Sequence, residues 1–524
     1  MTKKKTSSRT KNSARNMIVS ILFNSITIIF GIATQRIFLR LLNTEYLGLN
    51  SLFSNILTML SVAELGVTNA VIFSMYEPLA KDDKKTICAL MAFYRRWYWI
   101  IGGVVLGLGL CILPFIPNIV GEQSLDVNLY LIFTVSLADV VLSYFLGYKR
   151  SIIIASQQNY IIDVCQIIYV VLVSTLQMLA LFITRNYYIY ILVRLALRIL
   201  QNIVLIIIAN KKFPYIREKN PPKLKKEIRK SILTKVKGLF YHKIGGFIVL
   251  GTDNLVITTF LGLAVNGLYA SYYMIISALQ SIIMQCITAT TASVGNLLVE
   301  NDSEKQFLVF RRIRFINFWL AVLGSTGLLI VMDSFITVWL GGEYVLGLDV
   351  LMALVLNFYF YVSRSSFGVF KDAAGIYHED RFVPIVESVL NISASIILVK
   401  LIGLPGVFIG TFISGLALYC FSYPKFVYKK LFKRSYRCYT IETLGLALIA
   451  TIIITASFLT TRFLAGLSNL DGIGLLIFNI VMVFVIPNAL IVLIFVKNQN
   501  FQYCTDLLKK VLKKVSHAKR KRIA

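Results

Sequence analysis

The sequence predicts an all-α polytopic membrane protein of about 14 transmembrane helices, and three observations carry that expectation. Fourteen apolar stretches run the length of the 524-residue chain, most of them within the roughly 17–25 residues that cross a hydrocarbon core as a helix. Hydrophobic residues make up 57% of the chain and charged residues 15%, a balance that belongs to membrane proteins rather than to a string of soluble domains. The hydrophilic gaps alternate between strongly basic and nearly free of Lys and Arg. In lipid only a helix or a closed barrel satisfies its own backbone, and the lack of period-2 alternation excludes an outer-membrane barrel.

The spans follow in order. Residues 1–16 form a basic, polar start, and the apolar run after it is too long for a signal-peptide core and lacks a small-residue cleavage site, so it is the first span. Residues 17–210 hold six spans, at 17–41, 49–75, 93–116, 127–148, 160–183 and 187–209. A linker at 211–237 carries eleven basic residues and Pro221–Pro222. Residues 238–424 hold six more, at 238–261, 267–294, 315–339, 348–370, 384–402 and 406–424, and 425–496 add two, at 441–461 and 472–496. Residues 497–524 form a basic tail, whose run Asp506–Arg522 places Leu507, Leu508, Val511, Leu512 and Val515 at helical spacing. That tail reads either as a helix on the inner membrane surface or as a solvated basic segment.

Topology follows from charge. The termini and even-numbered gaps hold 45 of the 54 Lys and Arg, whereas the odd-numbered gaps hold only Arg185, Lys400 and Arg462. Basic loops stay cytoplasmic, so both termini are expected inside a bacterial plasma membrane. The formal charge of +29 therefore reports insertion and anionic lipid rather than nucleic acid, for which no role is expected. Two lobes of six spans enter in the same orientation, as a parallel repeat would. At an offset of 219, residues 41–49 fall beside 260–268 with Leu, Gly and Leu in common, an echo that chance also produces.

Several chemistries are disfavoured. No outer loop exceeds about ten residues, which leaves no home for the outer catalytic domain of a lipid-linked sugar polymerase. There is no GxxxxGK[ST] loop, so nucleotide-driven pumping lacks its phosphate cradle. Seven cysteines show no CxxC pairing, and His242, His378 and His517 do not cluster, so neither a zinc site nor a histidine proton relay is expected.

The chemistry lies in ionisable groups inside the spans, which normally face a cavity or a partner. They are Arg36 in span one, Glu64 in span two, Asp139 in span four, Arg194 and Arg198 in span six, Asp253 with Asn254 in span seven, Arg364 in span ten and Glu387 in span eleven. Four such arginines cost on the order of 10–14 kcal/mol on an insertion scale, which something must offset. Arg194 and Arg198 are four apart and share a helix face. Two offsets are available. The arginines pair internally with Glu64, Asp139, Asp253 and Glu387 while Arg36 snorkels outward, or they line a wet cationic cavity for an anionic substrate, where the planar guanidinium suits phosphate.

Three segments resemble the polysaccharide transporters, the lipid-linked oligosaccharide flippases of the multidrug/oligosaccharidyl-lipid/polysaccharide exporter superfamily. They are Arg36–Ala80 with its Leu-Gly-Leu turn and Ala-Glu-Leu-Gly stretch, Tyr148–Ile161, and His242–Tyr269 with Thr-Asp-Asn and Asn-Gly-Leu-Tyr. The resemblance implies two six-helix lobes facing each other in a V, two additional helices and alternating access. Its implied cargo is a sugar repeat unit on a polyprenyl (pyro)phosphate, carried outward for capsule, exopolysaccharide or related synthesis. Membrane lipid, polysaccharide polymerase and glycosyltransferases are the implied partners. Arg36, Glu64 and Asp253 fall inside the matching segments, whereas Arg194, Arg198, Asn254 and Arg364 rest on position and charge. The protein is expected not to be an enzyme and to need no cofactor, with sodium or proton exchange on Asp253, Glu64, Asp139 or Glu387 left open. A drug or cation antiporter of the same superfamily and a peptidoglycan-precursor flippase are the alternatives.

Overall fold

The computed structural model describes residues 2–524 except 65–66, 122–123, 219–220, 301, 377–378, 381, 469, 507–508 and 510–524. His378, His517 and most of the tail helix expected over Asp506–Arg522 therefore lie outside the described residues, as do Leu65 and Gly66 of the Ala-Glu-Leu-Gly stretch. Among the described residues every regular element is helical.

The chain divides into two compact units, Met1–Ser271 and Tyr272–Ala524. The first is built from α1 (Thr2–Leu41), α2 (Thr44–Leu60), α3 (Val67–Lys81), α4 (Lys84–Ile112), α5 (Ile116–Val120), α6 (Leu129–Gly147), α7 (Arg150–Ala155), α8 (Asn159–Thr184), α9 (Tyr187–Lys212), α10 (Lys226–Leu261) and the start of α11 (Leu263–Thr288). The second continues with α12 (Thr291–Val299), α13 (Ser303–Trp339), α14 (Leu348–Ser363), α15 (Ser365–Ala374), α16 (Val383–Ile402), α17 (Leu404–Ala417), a wide helix over Leu418–Leu431, α18 (Tyr436–Ser468) and α19 (Gly472–Phe495).

Twelve helices among the described residues are long and apolar enough to cross a membrane. The other two expected spans also have helical counterparts. Span seven is α10, part of whose side chains lie outside the described residues, and span two is split into α2 and α3 by a tight turn over Ser61–Glu64. That interruption carries Glu64 and was not visible as a break in the apolar run. On α18, Leu444, Leu448, Ile452, Leu459 and Phe463 are each more than half exposed. Such an apolar face has lipid as its natural solvent.

Starts and crossings are encoded locally. Asn43, Asn128 and Asn186 accept from the backbone N–H groups of Tyr46 (3.2 Å), Leu131 (3.1 Å) and Tyr188 (2.8 Å), capping α2, α6 and α9. In the first unit α2 and α11 meet backbone to backbone. A Cβ on Gly48 would sit 2.0 Å from the Leu263 carbonyl oxygen, and one on Gly267 would sit 2.1 Å from that of Thr44. Asn266 Nδ2 donates to the Gly48 carbonyl at 3.0 Å across the same crossing. Both residues are therefore held to glycine by space. Thr44 and Leu263, like Gly48 and Gly267, are 219 positions apart, so the contact is reciprocal at the offset of the sequence echo.

Candidate transport site

The first unit concentrates its charge along one face of α9. Arg194, Arg198, Gln201 and Asn202 stand at positions i, i+4, i+7 and i+8, a spacing that aligns them on one side of a helix whose remainder is mainly apolar. Each finds partners on another element. Arg194 Nη1 donates to Asn50 Oδ1 on α2 at 3.1 Å and Nη2 to Ser136 Oγ on α6 at 3.5 Å. Arg198 Nη1 donates to Gln201 Oε1 at 3.3 Å, and its guanidinium lies 4.3 Å from the centre of the Tyr169 ring on α8, within cation–π range. Gln201 in turn donates to Gln166 Oε1 at 2.5 Å.

Between the two arginines stands a single carboxylate. Asp139 Oδ2 lies 3.7 Å from Arg194 Nε and Oδ1 lies 3.6 Å from Arg198 Nε, with the three side chains only 14–25% exposed. A third guanidinium follows further along α9. Arg150, at the start of α7, donates from Nη2 to Asn202 Oδ1 at 2.7 Å, and Lys149 beside it donates to Asn210 Oδ1 at 2.7 Å. Eight residues separate Arg194 from Asn202, about 12 Å along the axis at 1.5 Å per residue. The face thus carries a cationic track with one acid in it.

The remaining residues expected at the site fall into three further settings. Glu64 sits in the Ser61–Glu64 turn, where its Oε1 accepts from Tyr98 Oη at 2.5 Å and Thr68 Oγ1 at 2.6 Å, with Tyr94 Oη donating to Thr68 at 2.9 Å. Asn254, 2% exposed on α10, accepts from Ser51 Oγ on α2 at 3.0 Å, with Asp253 partly exposed beside it. Arg36 is exposed on α1 and makes no ion pair among the described residues, while its neighbour Gln35 donates to Ser271 Oγ at 2.6 Å.

In the second unit the charges close into compact pairs. Arg364 Nη1 meets Glu387 Oε1 at 3.0 Å, and Lys371 pairs with the fully buried Asp380 while also donating to Ser422 Oγ at 3.0 Å. Arg314, 7% exposed, donates to Tyr428 Oη at 2.5 Å, Glu442 Oε2 at 3.2 Å and Thr443 Oγ1 at 2.7 Å. The more exposed Arg311 also approaches Glu442, at 3.7 Å. Arg314 borders a small cavity of about 30 Å³ with Ser363, Tyr419 and Thr443.

Of the two offsets open from sequence, internal pairing is the one on view: Arg364 meets Glu387, and Arg194 and Arg198 share Asp139, two guanidiniums to one carboxylate. Sequence reasoning missed Arg150, which it counted as a loop cation, and the Arg314–Glu442 and Lys371–Asp380 pairs. The polar i, i+4, i+7, i+8 pattern on α9 was the available signal for the first.

Residues 13–291, more than half of the chain, match the family described as polysaccharide biosynthesis protein. The chain belongs to this family. Twelve of its helices among the described residues are long and apolar enough to cross a membrane. Among solved structures, this polysaccharide biosynthesis protein is similar to the lipid II flippase MurJ in an inward closed conformation, with 14% identity, a TM-score of 0.61 and coverage of 92% of this chain and 99% of that one. It is also similar to an inward-facing multidrug resistance MATE family transporter, with 16% identity, a TM-score of 0.58 and coverage of 78% and 96%. A MOP superfamily transporter from Pyrococcus furiosus matches with 16% identity, a TM-score of 0.51 and coverage of 79% and 95%. At these identities the likeness is one of fold. No curated protein matches the sequence.

Proposed function

We propose that this protein is a transporter, a flippase that moves an oligosaccharide repeat unit on a polyprenyl (pyro)phosphate from the cytoplasmic to the outer leaflet by alternating access. The observation that carries the proposal is the excess of guanidinium over carboxylate on the α9 face, where Arg194 and Arg198 share Asp139. A planar guanidinium offers two parallel N–H donors, the geometry that matches a phosphoryl group. Arg194 and Arg198 would take over part of the hydration of the pyrophosphate while the prenyl tail stays in lipid. Family membership supports a cargo that feeds cell-surface polysaccharide synthesis, such as capsule or exopolysaccharide, in a bacterial plasma membrane with both termini cytoplasmic.

The membrane potential favours this direction. An anion leaving an inside-negative cell gains about 2.3 kcal/mol per charge per 100 mV, so two uncompensated charges gain about 4.6 kcal/mol at 100 mV. Should an ion be exchanged as well, Glu64 is the group we assign to it. Its Oε1 accepts from the hydroxyls of Tyr98 and Thr68, which together with the carboxylate offer oxygen ligands to a small cation.

The test replaces Arg194 and Arg198 by Ala, and separately by Lys, and measures surface polysaccharide together with protein abundance. The proposal expects the Ala pair to lose export at normal abundance and the Lys pair to restore it only in part. Export that persists in the Ala pair refutes the phosphate clamp, and full rescue by Lys reduces it to charge alone. A change in drug susceptibility with unchanged polysaccharide would mark a cation exporter instead.

A further inference from the structure

We infer that Asp139 is a resident stand-in for the substrate's phosphate, a carboxylate that holds Arg194 and Arg198 in place when the site is empty and is displaced when the pyrophosphate arrives. The inference rests on the flippase reading above and adds to it the residue that sets how tightly the anion is held.

The geometry of the pairing points to it. A charge-assisted N–H to oxygen hydrogen bond closes to about 2.7–2.9 Å. Asp139 instead stands 3.7 and 3.6 Å from the two Nε atoms, close enough for Coulomb attraction but outside hydrogen-bond length. Among the described residues Asp139 Oδ1 and Arg194 Nε are buried without a hydrogen-bond partner, and so is Arg150 Nε further along the track. Each oxygen of this one carboxylate faces a different guanidinium, and neither contact closes to hydrogen-bond length. A phosphoryl group brings more oxygens and is not tethered.

The loose pair contrasts with others in the same molecule. Arg364 and Glu387 close to 3.0 Å, and Arg314 reaches Glu442 at 3.2 Å with further donation to Tyr428 and Thr443. The contacts as long as these include that of the more exposed Arg311 to Glu442, at 3.7 Å, whereas the buried arginines of the second unit close on their acids. Meanwhile the Nη groups of Arg194 are held by Asn50 and Ser136, and Arg198 is held by Gln201 and Tyr169. The guanidiniums therefore keep their positions when the carboxylate lets go. Arg150, anchored on Asn202, supplies a third cation for the second phosphate. Asp139 then lowers affinity for the anion and allows its release, because it reclaims the arginines as the phosphate departs.

The experiment uses the full-length protein in detergent with farnesyl pyrophosphate as the probe, and compares wild type, Asp139→Asn, Asp139→Glu and the double variant Arg194→Gln, Arg198→Gln by calorimetric titration. The inference expects Asp139→Asn to bind at least tenfold more tightly, equivalent to about 1.4 kcal/mol. Asp139→Glu should stay within threefold of wild type, and the arginine double variant should lose at least tenfold. A second measurement needs only the wild type. Modification of Asp139 by a lipid-soluble carbodiimide, followed by peptide mass spectrometry, should rise at least twofold when farnesyl pyrophosphate is present. Unchanged or weaker binding by Asp139→Asn with loss in the arginine variant, or carbodiimide labelling that does not rise, overturns the stand-in role and leaves the clamp intact. Binding that survives loss of both arginines overturns the clamp as well.

Discussion

The two units handle the same electrostatic problem in different ways. In the second, buried cations reach an acid at short range, as Arg364 has Glu387 at 3.0 Å, Lys371 has Asp380, and Arg314 has Glu442 at 3.2 Å, which the more exposed Arg311 also approaches. In the first, Arg194 and Arg198 divide one aspartate at 3.6–3.7 Å while Arg150 rests on a neutral amide. Desolvating a guanidinium is unfavourable in either case, and a tight pair repays part of that at once. The looser arrangement leaves positive charge uncompensated. A site of that kind gains most from an incoming anion, so the difference separates charge that holds the fold from charge that can work on a substrate.

This contrast can be broken by mutation. The largest effect is expected for Arg194→Gln with Arg198→Gln, which should lower export at least tenfold at near-normal protein level, read by surface polysaccharide against immunoblot abundance. In the second unit Arg364→Leu alone strands the buried Glu387, and breaking a buried pair in this way costs on the order of 3 kcal/mol. It should appear as lost thermal stability in detergent, and Glu387→Leu in the same chain should recover most of it. If the pair variant stays as unstable as the single one, the Arg364–Glu387 contact is not the compact structural pair described above.

Smaller effects sharpen the picture. Gly48→Ala and Gly267→Ala each push a methyl group against a facing carbonyl, at 2.0 and 2.1 Å, and the α2–α11 crossing must part to admit it. Each should destabilise by about 1–3 kcal/mol, in the range of overpacking, and the two should be similar in size because the contact is reciprocal. Differential scanning fluorimetry checks this, and a large asymmetry would remove the reciprocity. The smallest effect is expected at Asn186, whose side chain caps α9 through Tyr188 N at 2.8 Å. Asn186→Ala should cost about 1 kcal/mol of stability and leave export unchanged.

Much of this was legible in the chain before any coordinates. Apolar run length gives the helices, because a span must satisfy its own backbone in lipid. Helix periodicity places Arg194 and Arg198 on one face. What sequence could not supply was the choice among partners. Four acids stood within the spans, and only the packing of α6 against α9 shows that Asp139 serves both arginines while Glu387 belongs to Arg364. Arg150 was hidden for the same reason, since a basic residue in a short gap looks like a topology signal until α7 brings it to Asn202. The break at Ser61–Glu64 was hidden because both halves of the span are apolar and their hydropathy runs on across the turn. The glycine of the echo was visible, but its meaning came from the crossing, where close approach explains why glycine stands at both Gly48 and Gly267.

The most direct test of the central claim reconstitutes the protein in liposomes that carry a fluorescent short-chain prenyl-pyrophosphate-linked sugar and follows its appearance in the opposite leaflet. Wild type and the compensated variant Arg364→Leu, Glu387→Leu should translocate at rates within about threefold of each other, whereas Arg194→Gln with Arg198→Gln should be at least tenfold slower. Equal rates for all three proteins, or a loss confined to the Arg364–Glu387 variant, would contradict the assignment of the working charge to the first unit.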